Sequence, residues 1–153
     1  MQSLLAWLES TRIAASVASS TMLTASLSAI HVIGFTLVIG GALVANLRSL
    51  GALFPKRNID VAGPTTHAIA VGLAISVATG FLLFSARATD VAANGTFRLK
   101  MLLLVLAVLA HFVFQRRAAA RADEPRRTRA VSAVSLTLWL GLAATACAFI
   151  LLE

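Results

Sequence analysis

The chain has 153 residues, 59% of them hydrophobic, and its mean hydropathy is +0.89. A soluble domain of this size needs far more polar surface, so these values exclude an ordinary water-soluble protein. The net charge of +7 would suit a nucleic-acid-binding protein. However, the basic residues collect in two loops between apolar runs, which is typical of the cytoplasmic loops of a membrane protein. We therefore expect contact with the lipid bilayer and none with nucleic acid.

Residues 3–18 predict a short amphipathic helix at the membrane interface. Leu4 and Trp7 would dip into the apolar zone while Glu9 and Arg12 stay in water. Such a helix lies on the membrane and does not cross it.

Four apolar runs with almost no charge predict four transmembrane helices, because about 20 apolar residues span a bilayer. Their expected bounds are 22–50, 64–86, 97–116 and 130–152. The fold class that follows is all-α, a single antiparallel four-helix transmembrane bundle preceded by the interfacial helix. Asn94 and Gly95 mark a turn before the third run, with Thr96 as the expected N-cap.

The distribution of positive charge predicts the orientation. Arginine and lysine are most frequent in the loop after the first run and in the loop after the third. These residues are Arg48, Lys56, Arg57, Arg116, Arg117, Arg121, Arg126, Arg127 and Arg129. Because positive residues favour the cytoplasm, both loops are expected there, and both termini are expected to be periplasmic or extracellular.

Three histidines, His31, His67 and His111, lie in or beside the apolar runs. Imidazole is costly in hydrocarbon, so each is a hypothesis for a functional site. It is also a good ligand for haem iron or copper. The plain alternative for each is a hydrogen bond to a serine or threonine of a neighbouring helix. No carboxylate lies in any of the four runs, which disfavours a proton-relay pump or an acid/base hydrolase.

The expected depths of His67 and His111 in the membrane predict that these two histidines bind one group together. At 1.5 Å per residue, His67 and His111 both lie about 5–6 Å inside the expected cytoplasmic boundary. A level pair on two helices is typical of a bis-histidine b-type haem, haem b, in a helix bundle. Arg57, Arg116 and Arg117 are the expected partners of the haem propionates at this end.

His31 lies roughly 12–15 Å from that level, so it would bind a separate group. Met101 and Cys147 share its depth, and a set of His, Met and Cys suits copper, while His and Met also suit haem. Lys100 and Arg98 could meet haem propionates at this outer level. Met101 and Cys147 also have a plain interpretation as packing residues.

Five segments together resemble an uncharacterised family of small four-helix proteins of the bacterial inner (plasma) membrane. The segments are AWLEST at 6–11, AIHVIG at 29–34, ANLRSLG at 45–51, TGFLLF at 79–84 and TFRLKMLLL at 96–104. The resemblance implies a multi-pass location in that membrane and names no activity.

More distantly, the layout is similar to the CopD-type copper-resistance membrane domain and to the HemJ-type protoporphyrinogen oxidase, a haem-binding membrane protein. Both groups have a His on an early helix followed by Gly and then Arg, as in His31, Gly41 and Arg48. HemJ-type proteins also have a Lys followed eleven residues later by a His, as in Lys100 and His111. The resemblance implies cofactor-binding roles for His31, Arg48, Lys100 and His111, and it says nothing clear about His67.

The leading functional expectation is a b-type haem-binding integral membrane protein in electron transfer, which exchanges electrons with a redox partner protein or a quinone. One alternative is a copper-binding or copper-transport membrane protein. The other is a non-catalytic structural subunit of a membrane complex, whose histidines only bond across helices. Homo-oligomerisation is compatible with each.

Overall fold

The structure is a computed structural model that describes residues 2–53, 62–114 and 125–152. Within these ranges every regular element is a helix, so the prediction of an all-α fold is confirmed. The helices are α1 (Gln2–Glu9), α2 (Arg12–Ser19), α3 (Thr21–Leu50), α4 (Ala62–Ser85), α5 (Ala88–Ala93), α6 (Gly95–Leu109) and α7 (Pro125–Leu152). A π-helical segment, Ala110–Phe114, continues α6.

Four of these helices, α3, α4, α6 and α7, are long and apolar enough to cross a membrane. Their most apolar stretches have mean hydropathies between 1.6 and 2.1. Large apolar side chains such as Ile33, Leu102 and Val134 are more than half exposed. An exposed apolar surface of this extent is typical of helices that contact lipid. The chain is therefore a multi-pass membrane protein.

The N-terminal segment forms two short helices where the sequence pattern predicts one over 3–18. Thr11 lies between them and caps α2, because its side chain accepts a hydrogen bond from the backbone N–H of Ala14. Threonine is a favourable N-cap, so capping divides the segment. Leu4 and Trp7 remain about two-thirds exposed on α1.

Two helix starts also differ from the predicted ones. The N-cap of α6 is Asn94 and not Thr96, because the Asn94 side chain accepts hydrogen bonds from the backbone N–H groups of Thr96 and Phe97. Asparagine is among the best N-caps, which explains a helix that starts at Gly95. α7 begins at Pro125, five residues before the expected bound, and proline is well tolerated in a first helical turn.

Glycines bring α3 and α4 into close contact. A Cβ atom built on Gly72 would lie 2.6 Å from the carbonyl oxygen of Gly34 and 2.9 Å from the backbone nitrogen of Val38. A Cβ atom on Gly41 would lie 2.9 Å from Cγ1 of Ile69. Small residues at such spacings let membrane helices approach closely. The α3–α4 pair is the most extensive helix contact in the described part of the chain.

The remaining long helices complete the core. α3 also packs against α7, and α7 packs against α6. The apolar core cluster that they share consists of Val38, Ala42, Ile69, Ala107, Trp139 and Leu142. α4 and α6 meet where Phe84 and Phe97 stack with ring centroids 5.4 Å apart.

Glu9 connects α1 to the start of α5. Its Oε1 accepts hydrogen bonds from the backbone N–H and the hydroxyl of Thr89, at 2.7 and 2.6 Å. These two bonds hold the pKa of Glu9 below its usual value. The contact therefore favours the ionised carboxylate.

We expect the Glu9 contact to weaken in acid. Because the folded-state pKa is lowered, its stabilisation is present above the unfolded-state pKa and is lost as the pH falls through the folded-state pKa. Glu9→Gln should therefore lower the unfolding temperature near neutral pH. The difference in unfolding temperature between the variant and the wild type should shrink below about pH 4. Thermal unfolding followed by circular dichroism measures this. Asp90→Asn, at an exposed residue, is the control, and a pH-independent difference for Glu9→Gln would contradict the prediction.

Candidate functional site

His31 lies on α3 and contacts α4 through three residues. Its Nδ1 is 3.1 Å from the hydroxyl oxygen of Thr79, and its backbone carbonyl accepts a hydrogen bond from the hydroxyl of Ser76 at 3.4 Å. A Cβ atom on Gly80 would lie 2.9 Å from Cε1 of the imidazole. The ring therefore lies directly against the α4 backbone, and α4 determines its orientation.

The hydrogen bonds of Thr79 are the basis on which we assign a tautomer to His31. A threonine hydroxyl has one hydrogen, and Thr79 donates it to the carbonyl oxygen of Ile75 at 2.7 Å. With its hydrogen assigned to Ile75, the closer of two backbone acceptors, the Thr79 oxygen accepts from His31, and we accordingly assign the hydrogen of the neutral ring to Nδ1. The lone pair of that ring lies on Nε2, and within the described residues no hydrogen bond engages Nε2.

Lys100 of α6 lies near the same histidine. It is partly buried and close enough to His31 to interact with it electrostatically. His31 on α3 and Lys100 on α6, two of the residues that the resemblance implies as cofactor-binding, therefore interact through the charge of the lysine. A lysine beside an imidazole ligand provides a positive charge for an anionic group of a bound molecule.

An apolar groove of about 350 Å³ lies at this end of the molecule, between α2, α3 and α4. Its lining includes Leu27, one helical turn before His31, and Leu82, three residues after Thr79. Arg12 contributes a positive charge to the same lining. An apolar groove with a cation in its lining, one helical turn from an imidazole, has the chemical character of a site for an amphiphilic cofactor.

The two sulfur ligands expected at the level of His31 have exposed side chains. Met101 is 42% exposed, and Cys147 is exposed as well, whereas His31 is turned toward α4. Across residues 2–53, 62–114 and 125–152, no group of three or more His, Cys, Asp and Glu side chains could hold a metal ion. The copper set of His, Met and Cys stays a prediction.

His67 and His111 do not face a common interior space. The face of α4 that contacts α3 includes the buried residues Thr65 and Ile69, and His67 lies about 200° around the helix from Thr65. His67 is accordingly exposed, while His111 is only 1% exposed. The described packing does not bring this pair together within one chain.

The arginines expected at the cofactor sites divide into two groups. Three lie outside the described residues: Arg57, Arg116 and Arg117. Arg48, near the C-terminus of α3, donates from Nη1 to the carbonyl oxygen of Leu53 at 3.4 Å. Arg98 donates from Nε to the carbonyl oxygen of Ala92 at 2.8 Å. Both described arginines thus bond to backbone next to helix ends.

A second set of polar side chains lies in the core. Of its members, only the histidine is a candidate site residue in the sequence analysis. In the described part of the chain, four buried polar atoms have no hydrogen-bond partner. They are Asn46 Oδ1, His111 Nδ1, Ser135 Oγ and Trp139 Nε1, which we call the buried polar cluster. An unpaired buried polar atom costs about 1–3 kcal/mol, so four of them on packed helices mark a candidate site for a polar group.

The buried polar cluster draws on three helices. The ring of His111 packs edge-on against Trp139 with centroids 6.3 Å apart. Ser135 precedes Trp139 by one turn of α7, and Asn46 follows Ala42 by one turn of α3. Ala42 and Trp139 belong to the same apolar core cluster. A polar residue within an apolar run, as at position 46, is the signal in the sequence that could have indicated this cluster.

No protein-family model, curated protein or solved structure matches this chain. The resemblance to the four-helix family, and the more distant one to CopD-type and HemJ-type proteins, therefore stay predictions that depend on the residues quoted for them. The function must be inferred from the geometry of the chain itself.

Proposed function

We propose that this protein is a b-type haem-binding integral membrane protein in electron transfer, in which His31 would hold the haem iron. The observation that carries the proposal is the hydrogen-bond chain from His31 through Thr79 to the carbonyl of Ile75. It leaves on Nε2 the lone pair that a metal requires. Metal-binding histidines are typically held by such a bond at the other ring nitrogen.

The residues around His31 supply the other requirements of a haem site. Lys100 and Arg12 would provide positive charge for the propionates, and the apolar groove would provide apolar contacts for the ring. Haem b would supply one-electron transfer when bound, and the chain would hold and orient it. Copper is the second candidate, because the same Nε2 lone pair also suits copper.

The proposal includes an arrangement in the membrane. The four long helices form an antiparallel bundle in a bacterial inner membrane, with α1 and α2 at the interface. The loops after α3 and α6 face the cytoplasm, because they carry the clustered positive residues. His31 then lies nearer the opposite side, where a donor or acceptor in the periplasm or in the membrane could exchange electrons with the haem.

The visible spectrum of the purified protein, oxidised and dithionite-reduced, tests the proposal. Protein made under haem-replete conditions should show the α and β bands of haem b. His31→Ala should lose most of the haem, because it removes the axial nitrogen. His67→Ala is the matched control and should keep the haem, because His67 is exposed on the side of α4 away from α3.

Each other outcome has a defined meaning. Loss of haem in His67→Ala or His111→Ala, but not in His31→Ala, would refute the assigned ligand. Copper in place of haem, lost in His31→Ala, would replace the first candidate with the second. Wild-type protein with neither metal would leave His31 with only its cross-helix hydrogen bond, as in a structural subunit.

A further inference from the structure

We propose that the buried polar cluster binds the head group of a lipid-soluble quinone or quinol, at a site separate from His31. The indole N–H of Trp139 and the hydroxyl of Ser135 can donate to quinone carbonyls. Oδ1 of Asn46 can accept from a quinol hydroxyl, and Nδ1 of His111 can accept or donate. The cluster thus matches both forms of the ligand.

The surroundings favour an apolar ring that arrives through the bilayer. The apolar core cluster adjoins these polar atoms, and Phe112 packs edge-on against His111 with ring centroids 5.2 Å apart. A charged ligand would lose its hydration here, whereas a quinone ring is polar only at its oxygens. The choice of a quinone among such rings rests on the proposed electron-transfer function, but its binding does not require haem.

The site has a built-in reporter. All four polar atoms are covered, so a head group must displace side chains to reach them. One of the four atoms belongs to Trp139, so we expect binding to change the surroundings of its indole ring. The π-helical segment that contains His111 departs from regular helix geometry at this point, as is frequent at functional sites. The chain has two tryptophans, so Trp7→Phe leaves Trp139 as the only one that emits.

The experiment is a fluorescence titration of the full chain carrying Trp7→Phe, in detergent, with a benzoquinone that bears one isoprenoid unit. We expect saturable quenching of Trp139. Adding Ser135→Ala should weaken the affinity about tenfold, because it removes one hydrogen bond to the head group. Ser132→Ala is the matched control, since Ser132 is buried on the same helix and its hydroxyl is not among the unpartnered atoms.

Two further measurements separate the possible results. Adding His31→Ala should leave the quinone affinity unchanged, so failure of the haem proposal and failure of this one are distinguishable. Quenching that rises linearly with quinone, equally in the Ser135 and Ser132 variants, would indicate collisions within the micelle and would overturn the proposal. Equal affinity for an isoprenoid benzene that lacks the ring oxygens would overturn it as well.

Discussion

Gly72→Ala is expected to destabilise the helix bundle by about 3 kcal/mol, toward the upper end of what overpacking costs. The added Cβ would lie 2.6 Å from the carbonyl oxygen of Gly34 and 2.9 Å from the backbone nitrogen of Val38. Both are backbone atoms, so neither can rotate away as a side chain would. α3 and α4 would have to separate along their main contact.

Gly40→Ala is the matched control for this substitution. Gly40 also lies within α3, but a Cβ atom there would meet nothing within 4 Å. Since alanine favours a helix by up to about 1 kcal/mol over glycine, this variant should be as stable as wild type or slightly more so. Unfolding in mixed micelles, followed by circular dichroism, measures both. Equal stability of the two variants would contradict the role assigned to the α3–α4 contact.

The same pair of variants bears on the site. His31 and Thr79 lie on opposite sides of the α3–α4 contact, so separation of the helices would lengthen the hydrogen bond between them. Gly72→Ala should therefore also reduce haem content, while Gly40→Ala should not.

Hydropathy was sufficient to predict the four long helices, and small-residue spacing is compatible with the close α3–α4 contact without identifying the helix pair. Four apolar runs predict four long helices, because only a helix satisfies every backbone polar group across lipid. Glycines and serine at intervals of four in α4, at Gly72, Ser76 and Gly80, predict a face on which another helix can lie. Both inferences require only the linear order of residue types.

The pairing of histidines could not be predicted in this way. Helix boundaries give an expected depth for His67 and His111, but they do not give the rotation of each helix about its axis. A shift of two residues turns a side chain by about 200°, which separates the buried Thr65 from the exposed His67. The electrostatic interaction of Lys100 with His31 likewise depends on how α6 is placed in the bundle.

The unpaired atoms of the buried polar cluster illustrate a further limit. Serine, asparagine and tryptophan in apolar runs are each compatible with a local hydrogen bond. Asn46 in fact makes one, since its Nδ2 donates to the carbonyl oxygen of Ala42 at 2.8 Å, while its Oδ1 stays unpaired. Which of the two atoms finds a partner depends on the packing of three helices, and residue spacing does not contain that information.

Thr79→Val is expected to weaken haem binding by about 10–100-fold, the usual effect of removing the hydrogen bond that orients a metal-binding histidine. Valine keeps the shape of threonine but offers no acceptor to the Nδ1–H of His31. The ring could then rotate, or carry its hydrogen on Nε2, where it would block the metal. Thr79 would thus be a positioning residue that acts through His31.

Haem titration into the apo-protein, together with the unfolding midpoint, distinguishes positioning from a general structural role. Thr36→Val is the matched control, because Thr36 is exposed on the same helix as His31 and its hydroxyl donates only within that helix, to the carbonyl oxygen of Val32 at 2.8 Å. We expect Thr79→Val to lose haem affinity with little change in the midpoint of the apo-protein, and Thr36→Val to change neither. If Thr79→Val lowered the midpoint and left the affinity unchanged, the Thr79 hydroxyl would only join two helices. The tautomer assigned to His31 would then have no part in binding haem.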